Sequence, residues 1–304
     1  MGPSGPPSGN PAPATWRTEL EYARRRLGSD LEARRILGRA SGFDRADLVR
    51  HFDDPVPARA AAFLWSMVER RRKGEPLQYV LGVWGFRQLD LMIDRRVLIP
   101  RPETEVVVEV ALEELRRLEL DGRPASRSGG RSGPVLVDLG TGSGAIALSL
   151  AVEVDGAVVW ATDASADALA VARANLAGLG SRVAPRVRLA QGRWFDALPV
   201  SLLGRVDLVV CNPPYVAEDE PLPAEVADWE PSRALVSGPT GLEAIEEVVA
   251  AAPRWLARPG ALVVEVAPHQ AGAAAAMARD AGFSPVEVRP DLAGRARALV
   301  GRRA

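Results

Sequence analysis

From Trp16 to about Gly74 the apolar residues return at helical spacing. Leu20, Ala23, Leu27, Leu31, Ile36 and Leu37 recur among many arginines. Asp44 precedes a short segment over 45–51, and Pro57 opens a helix over 58–73 with Ala61, Leu64, Trp65 and Val68 on one face. From Pro76 to Pro100 the texture changes. Gln78-Tyr79-Val80-Leu81-Gly82, Val83-Trp84-Gly85-Phe86 and Leu89-Asp90-Leu91-Met92-Ile93-Asp94 alternate apolar and polar positions broken by glycine, which predicts a β-hairpin linking two domains. A helix over 103–120 follows the Pro100-Arg101-Pro102 break. Strands and helices then alternate. Strands are expected over 135–139, 157–163, 187–190, 206–211, 261–266, 286–289 and 296–300, and helices over 145–151, 166–179, 242–255 and 270–281. Repeated βαβ units with continuously apolar strands predict a mostly parallel sheet covered on both faces. The last two strands, close in sequence, predict an antiparallel edge hairpin.

The bulk numbers sharpen this picture in a few places. At 304 residues there is room for a small helical domain before an α/β domain. The domains are drawn as a disordered tail over 1–14, a helical domain over 15–75, the hairpin linker over 76–100 and the sheet domain over 101–304. Residues 1–14 are rich in Gly, Pro, Ser and Ala and carry no apolar core, so they read as neither a signal peptide nor a spanning helix. No apolar stretch is long and clean enough to cross a bilayer, and the chain reads as cytoplasmic. A net charge of −1 gives no global basic field for nucleic acid or membrane. The single cysteine, Cys211, excludes an internal disulfide and falls in a predicted strand. Arg24-Arg25-Arg26 and Arg70-Arg71-Arg72-Lys73 read as solvated helix faces, with a docking surface for an acidic partner or RNA as the sharper alternative.

Candidate chemistry sits at two strand ends. Asp138-Leu139-Gly140-Thr141-Gly142-Ser143-Gly144-Ala145 joins the first strand of the sheet to its first helix, where glycines let the backbone turn sharply and approach a ligand. Asp163 ends the next strand, where a carboxylate can accept from both hydroxyls of a ribose. Gly140, Gly142 and Ala145 also satisfy a dinucleotide fingerprint, which is weak alone. An acidic residue just before the loop, Asp138, sits poorly beside a pyrophosphate and favours a compact cationic cofactor. In Gly192-Arg193-Trp194-Phe195-Asp196 an aromatic can flank an adenine ring, or both rings can be ordinary core.

The second loaded end is Asn212-Pro213-Pro214-Tyr215, directly after Val206-Asp207-Leu208-Val209-Val210-Cys211. Two prolines stop the strand and stiffen the turn. An amide and a phenol are thereby held at a rigid corner, as gripping a planar NH₂ group requires. The alternative is a strand-ending turn with a buried tyrosine.

Together these pieces resemble the S-adenosylmethionine-dependent methyltransferases of the Rossmann-like class, and within it the family that methylates the glutamine N5 of peptide chain release factors. The resemblance covers nearly the whole chain after the tail. It includes Pro76-Leu77-Gln78-Tyr79-Val80-Leu81-Gly82 and the distinctive string Val97-Leu98-Ile99-Pro100-Arg101-Pro102-Glu103-Thr104-Glu105. It implies a class I methyltransferase domain, with a mostly parallel seven-stranded sheet and an antiparallel edge hairpin, behind a small helical substrate-docking domain. It implies S-adenosyl-L-methionine as cofactor, S-adenosyl-L-homocysteine as product, and no metal. Gly140, Thr141, Gly142, Ser143, Gly144, Asp163, Trp194 and Asn212 would bind the cofactor. Asn212, Pro213, Pro214 and Tyr215 would bind the substrate glutamine, with Asn212, Pro213 and Tyr215 in catalytic roles. Release factors would be the partners, with no stable nucleic acid, no membrane and a monomeric enzyme.

The chain departs from the family pattern at Thr240, where aspartate is usual, at Ala267-Pro268, where glycine is usual after Glu265-Val266, and at Ala296, where aspartate is common. These touch substrate docking rather than the glycine loop, Asp163 or Asn212. His51 and His269, the only histidines, read as structural. The main competing reading is an adenine-N6 methyltransferase on DNA or RNA, with a flipped base held by the same corner. Against it, no stretch carries a basic, aromatic-interleaved stripe. A silent binding module leaves both motifs unexplained, and a nicotinamide dehydrogenase leaves Asn212-Pro213-Pro214-Tyr215 without a purpose.

Overall fold

The computed structural model describes residues 14–120 and 133–304. The expected disordered tail, apart from Ala14, and residues 121–132 lie outside the described residues. The chain divides into two compact units, one ending at Leu81 and the other running from Gly82 to Ala304.

The first unit is helical: α1 (Trp16–Leu27), α2 (Asp30–Ser41), α3 (Arg45–Arg50), α4 (Ala58–Arg72) and α5 (Leu77–Leu81). Its helix starts are set by local chemistry. Thr15, Ser29 and Asp44 each accept a backbone N–H of the first turn. Trp16, Leu20, Ile36, Leu37, Leu64, Met67 and Val68 form its core. Trp65, expected on the buried face of α4, is 49% exposed, and its indole N–H donates to Glu19 Oε2 at 2.7 Å. Met67 takes the core position instead. The arginine runs are largely engaged: Arg26 pairs with Glu69, Arg71 with Glu32, Arg72 with Glu69 and Arg70 with buried Glu75. They are faces neutralised within the unit rather than a free basic surface. Residues 77–81 are helical, not the start of a strand, because Leu77 and Val80 turn into this core.

The second unit opens with a short hairpin, β1 (Val83–Phe86) and β2 (Leu89–Met92), then α6 (Pro102–Leu120). β3 (Val135–Leu139), α7 (Ala145–Glu153), β4 (Val158–Asp163), α8 (Ala166–Ala177), a one-turn α9 (Gly180–Val183), β5 (Val187–Gln191) and β6 (Val206–Cys211) follow. After them come β7 (Val216–Ala217), α10 (Ala224–Ala227), β8 (Val236–Gly238), α11 (Glu243–Trp255), β9 (Leu256–Glu265), α12 (Ala271–Asp280), β10 (Val286–Pro290) and β11 (Ala296–Arg303). The large sheet has seven strands in the order β10-β11-β9-β6-β3-β4-β5. Five are parallel, and β11 runs antiparallel to both its neighbours, as the alternation of elements implies. β3 and β6 are buried at every position, which explains their continuous apolar runs. β9 begins five residues before the expected strand, because Leu256 pairs with Val206 ahead of a register shift. The two-stranded β7–β8 sheet gives no sequence signal; its strands are too short for any periodicity to develop.

The strand order creates the site. The chain winds outward from β3 through β4 to β5, then returns to place β6 on the other side of β3. Ligands in open α/β sheets bind beyond the carboxyl ends at such a reversal. Register brings four strand ends level: Leu139 lies opposite Cys211 and Thr162, and Cys211 lies opposite Val264. The next residues in line are Gly140, Asn212, Asp163 and Glu265. Among the described residues no helix is long and apolar enough to cross a membrane.

Candidate active site

The glycine loop turns tightly because three of its residues adopt left-handed backbone conformations, Gly140 at φ 71°, Gly142 at 56° and Gly144 at 88°. The amides of Gly140 and Thr141 both donate to the Thr162 carbonyl at 2.9 Å. Asp138 is fully buried and does not face the loop's outer side, contrary to the electrostatic argument made from its position. Its Oδ2 accepts from Thr141 Oγ1 at 2.6 Å and from the Ala147 amide at 3.1 Å, so it pins the loop from below. Burial pushes its carboxyl up to about 7, against the pull of those two donors. Asn175 on α8 secures the other side, donating to the Ser143 carbonyl at 2.8 Å and exchanging two bonds with Met92.

Asp163 stands at the end of β4 and is half-buried. One carboxylate oxygen accepts from the Gly142 amide at 2.9 Å and the other from the Ser165 amide at 2.8 Å. Each oxygen keeps a lone pair for a ligand hydroxyl. Trp194 has a left-handed backbone, φ 45°, and its carbonyl accepts from Thr162 Oγ1 at 2.8 Å. Its indole N–H donates to Glu247 at 2.7 Å, which fixes the ring. A Cβ on Gly140 would lie 3.4 Å from that ring, so the glycine leaves the aromatic edge open to the loop. Phe195 turns the other way and stacks on Trp255 in the core, with ring centroids 5.7 Å apart.

Asn212 follows β6. Its Nδ2 donates to Thr104 Oγ1 at 3.2 Å, and Thr104 Oγ1 donates to Glu265 Oε2 at 2.7 Å. Tyr215 is largely buried, and its hydroxyl donates to Glu265 Oε1 at 3.4 Å. Burial, with Glu265 beside it, pushes the phenol up to about 12. Glu265 itself is raised by burial, offset by the Thr104 hydroxyl, the Arg297 guanidinium 3.9 Å away and the Tyr215 hydroxyl. The exit from the turn is held by Gln270, whose amide donates to the Tyr215 carbonyl at 2.8 Å and to the Gly241 carbonyl at 3.1 Å. Thr240, where aspartate is usual, closes a local turn ahead of α11. Its hydroxyl accepts from the Leu242 amide, and its amide donates to Glu243 at 2.8 Å.

One cavity of about 370 Å³ joins these features. Gly140, Thr141, Gly142, Ser143, Asp163, Trp194, Asn212 and Pro214 line it. Gly144, Pro213 and Tyr215 do not. Gly144 caps α7, where a Cβ would press within 3.0 Å of Leu148, and the Tyr215 ring packs against the core cluster. The cavity also takes in Val97, Leu98, Pro100, Arg101 and Thr104, whose place in it no local sequence signal marks. This strap is tied down by buried Glu230, which accepts from the Ile99 amide at 3.1 Å and pairs with Arg101. Glu265 was also unassigned; the only signal for it was a charged residue closing an apolar strand. His51 stacks on Phe43 in the helical unit, and His269 is exposed and is not among the residues that line the cavity.

The sheet order and the ligand loop define a Rossmann-like methyltransferase. A family model described as the methyltransferase small domain matches residues 128–226, and one described as the PrmC N-terminal domain matches residues 20–82. A release factor glutamine methyltransferase of Bordetella pertussis is 43% identical over 266 residues, covering 87% of this chain and 91% of that one. One from Burkholderia pseudomallei is 40% identical over 295 residues, covering 96% and 97%. The chain belongs to the release factor glutamine methyltransferase family. The solved catalytic domain of hMettl16 in complex with MAT2A 3'UTR hairpin 1 shares the fold, with a TM-score of 0.54 over 93% of this chain and 90% of that one, at 13% identity. The N-terminal domain of human METTL16 in complex with SAH aligns with a TM-score of 0.51 at 13% identity, covering 93% of each chain.

Proposed function

We propose that this protein transfers a methyl group from S-adenosyl-L-methionine to the side-chain amide nitrogen of a glutamine in peptide chain release factors, the glutamine of their Gly-Gly-Gln motif. The observation that carries the reading is the placing of Asn212 level with the glycine loop, on adjacent strands and in one cavity. Relatives with the same name across most of the chain support the substrate class and disfavour adenine.

The residues present suit the cofactor. The cavity has the volume of a small-molecule site, about 300–1,000 Å³. The glycine loop offers close backbone approach, Asp163 keeps lone pairs for ribose hydroxyls, and the fixed Trp194 ring offers a flank for adenine. When bound, the cofactor supplies an electrophilic methyl group on a sulfonium, which needs no metal to activate it. The remaining difficulty is the acceptor, since an amide lone pair is delocalised into its carbonyl. In this proposal Asn212 Oδ1, in the cavity wall, accepts one amide N–H, and the Pro213 carbonyl, outside the present lining, accepts the other once the glutamine is seated; together they orient the nitrogen and favour the positive charge that develops on it. Pro214 forms the wall beside them. Tyr215 stiffens the turn from the core side and shields it from water. The nitrogen then loses a proton to solvent. The helical unit is the docking surface for the protein substrate, and Phe63 and Trp65, both exposed on α4, are candidates for contact.

The test is a methyl-transfer assay on purified release factor with mass spectrometric location of the methyl group. A glutamine-to-alanine release factor serves as control. Methylation at another residue, or only of nucleic acid, overturns the reading.

A further inference from the structure

Thr104 and Glu265 have no part in the proposed transfer, yet they sit directly behind Asn212. Glu265 is fully buried at the end of β9, and Thr104 is buried in the first turn of α6. A buried carboxyl is costly unless it is paired and hydrogen-bonded. Here Arg297, itself buried, faces one oxygen at 3.9 Å, Tyr215 donates to that same oxygen, and Thr104 donates to the other at 2.7 Å.

The direction of these bonds matters more than their number. A threonine hydroxyl has one proton. Glu265, with Arg297 and two hydroxyls turned towards it, takes that proton in a hydrogen bond. The Thr104 oxygen is then left only with lone pairs, and it accepts from Asn212 Nδ2 at 3.2 Å. An amide flipped by 180° would set its carbonyl oxygen against an oxygen with no proton to give. The Asn212 amide therefore has one favoured orientation, NH₂ towards α6 and Oδ1 away from it. We propose that Thr104 and Glu265 are positioning residues that fix the Asn212 side chain with its carbonyl oxygen presented to the substrate NH₂ group. The inference rests on the proposed function, since only a donor substrate needs an acceptor there. It also gives the Pro-Arg-Pro-Glu-Thr-Glu string a physical role: it begins α6 so that Thr104 meets the turn after β6.

The assay uses the full chain, purified release factor and S-adenosyl-L-methionine, comparing wild type with Thr104→Val, Thr104→Ser and Glu265→Gln. Valine keeps the shape and removes the hydroxyl; serine restores it. Misplacing a reacting group by about 1 Å costs on the order of 100-fold, so Thr104→Val is expected to lower kcat by at least about 10-fold with cofactor Kd little changed, and to lower Tm because buried Glu265 Oε2 loses its donor. Thr104→Ser should recover most of kcat. Glu265→Gln, which can offer Thr104 either end of an amide, should fall between them. A second readout needs no turnover: of the two Asn212 side-chain amide protons, one should be protected from exchange in wild type and Thr104→Ser and neither in Thr104→Val. Unchanged kcat in Thr104→Val overturns the inference. So does a loss that serine does not restore, or one that follows cofactor affinity. If the wild-type protein methylates no release factor, the proposed function itself fails and this inference falls with it; active wild type with indifferent variants sinks the inference alone.

Discussion

Asn212 and Thr104, 108 residues apart, meet through a 3.2 Å hydrogen bond from the amide nitrogen to the hydroxyl. The bond uses the asparagine's donor and leaves its acceptor. Replacing Asn212 by alanine removes both, and the expected result is loss of methyl transfer by about 10²–10³-fold, the scale of losing one preorganised polar group at a reacting centre. Cofactor affinity should stay within a few-fold. Asn212→Asp is the sharper comparison. It keeps an acceptor but places a second carboxylate near buried Glu265, so transfer should fall nearly as far. Isothermal titration with the cofactor beside single-turnover transfer separates the two effects.

Asp163 accepts one backbone amide on each carboxylate oxygen, Gly142 on one and Ser165 on the other. An asparagine there must set its NH₂ against one of those N–H groups. Asp163→Asn is therefore expected to behave almost like Asp163→Ala. Hydrogen bonds to charged groups contribute about 1.5–3 kcal/mol each, so cofactor Kd should rise by at least about 10-fold in both variants. Transfer at saturating cofactor should recover much of its rate. A near-normal Kd in Asp163→Asn contradicts this geometry.

The sheet and both motifs were legible because their signals are local. Continuous apolar runs mark buried strands, glycines mark the left-handed turns of the loop, and paired prolines mark the corner after β6. Partners distant in sequence were not legible. Nothing adjacent to Glu265 says that its side chain meets Thr104, 161 residues away, because the register of β9 beside β6 decides that. Trp65 misled for a related reason: helical spacing allowed a buried face, but buried Glu19 on α1 holds the indole N–H while the ring stays half exposed. Asp138 misled because its side chain turns under the loop, which a linear reading cannot show.

Asp138 leads to a pH prediction. Its carboxyl is raised from an ordinary value near 3.8 to about 7 by burial, against two hydrogen bonds. In that window the folded protein holds a proton that the unfolded chain has lost, so this group makes stability fall as pH rises from about 4 to about 7. The slope is at most about 1.4 kcal/mol per pH unit. Asp138→Asn lacks this term and can still accept from Thr141 and Ala147. Relative to wild type, the variant should gain stability steadily between pH 5 and pH 7 and hold a constant difference above that. Urea unfolding across this range measures it; parallel curves for the two proteins refute the assignment.

Gly241 tests how far the Asn212 turn depends on its support from behind. Its φ is 75°, and a Cβ there would stand 2.6 Å from the Tyr215 carbonyl, 2.9 Å from the Gln270 amide nitrogen and 3.0 Å from the Ala217 amide. Two of these three are backbone atoms, which cannot swing aside as a side-chain end can. Alanine at 241 must therefore move the Tyr215 segment and loosen the Gln270 bonds that tie it to Gly241. The left-handed backbone alone costs on the order of 1–3 kcal/mol for a non-glycine residue. With the steric contact added, Gly241→Ala should lower stability by at least about 2 kcal/mol, a fall in Tm of several degrees for a domain of this size. The glycine loop lies on the other side of Asn212 and does not share this support. Transfer should therefore suffer more than cofactor binding: kcat reduced by about 10-fold or more while cofactor Kd changes little at temperatures below the transition. If binding and transfer decline together, the displacement has spread through β6 into the loop, and the turn is not the separable element that its contacts with Gln270 imply.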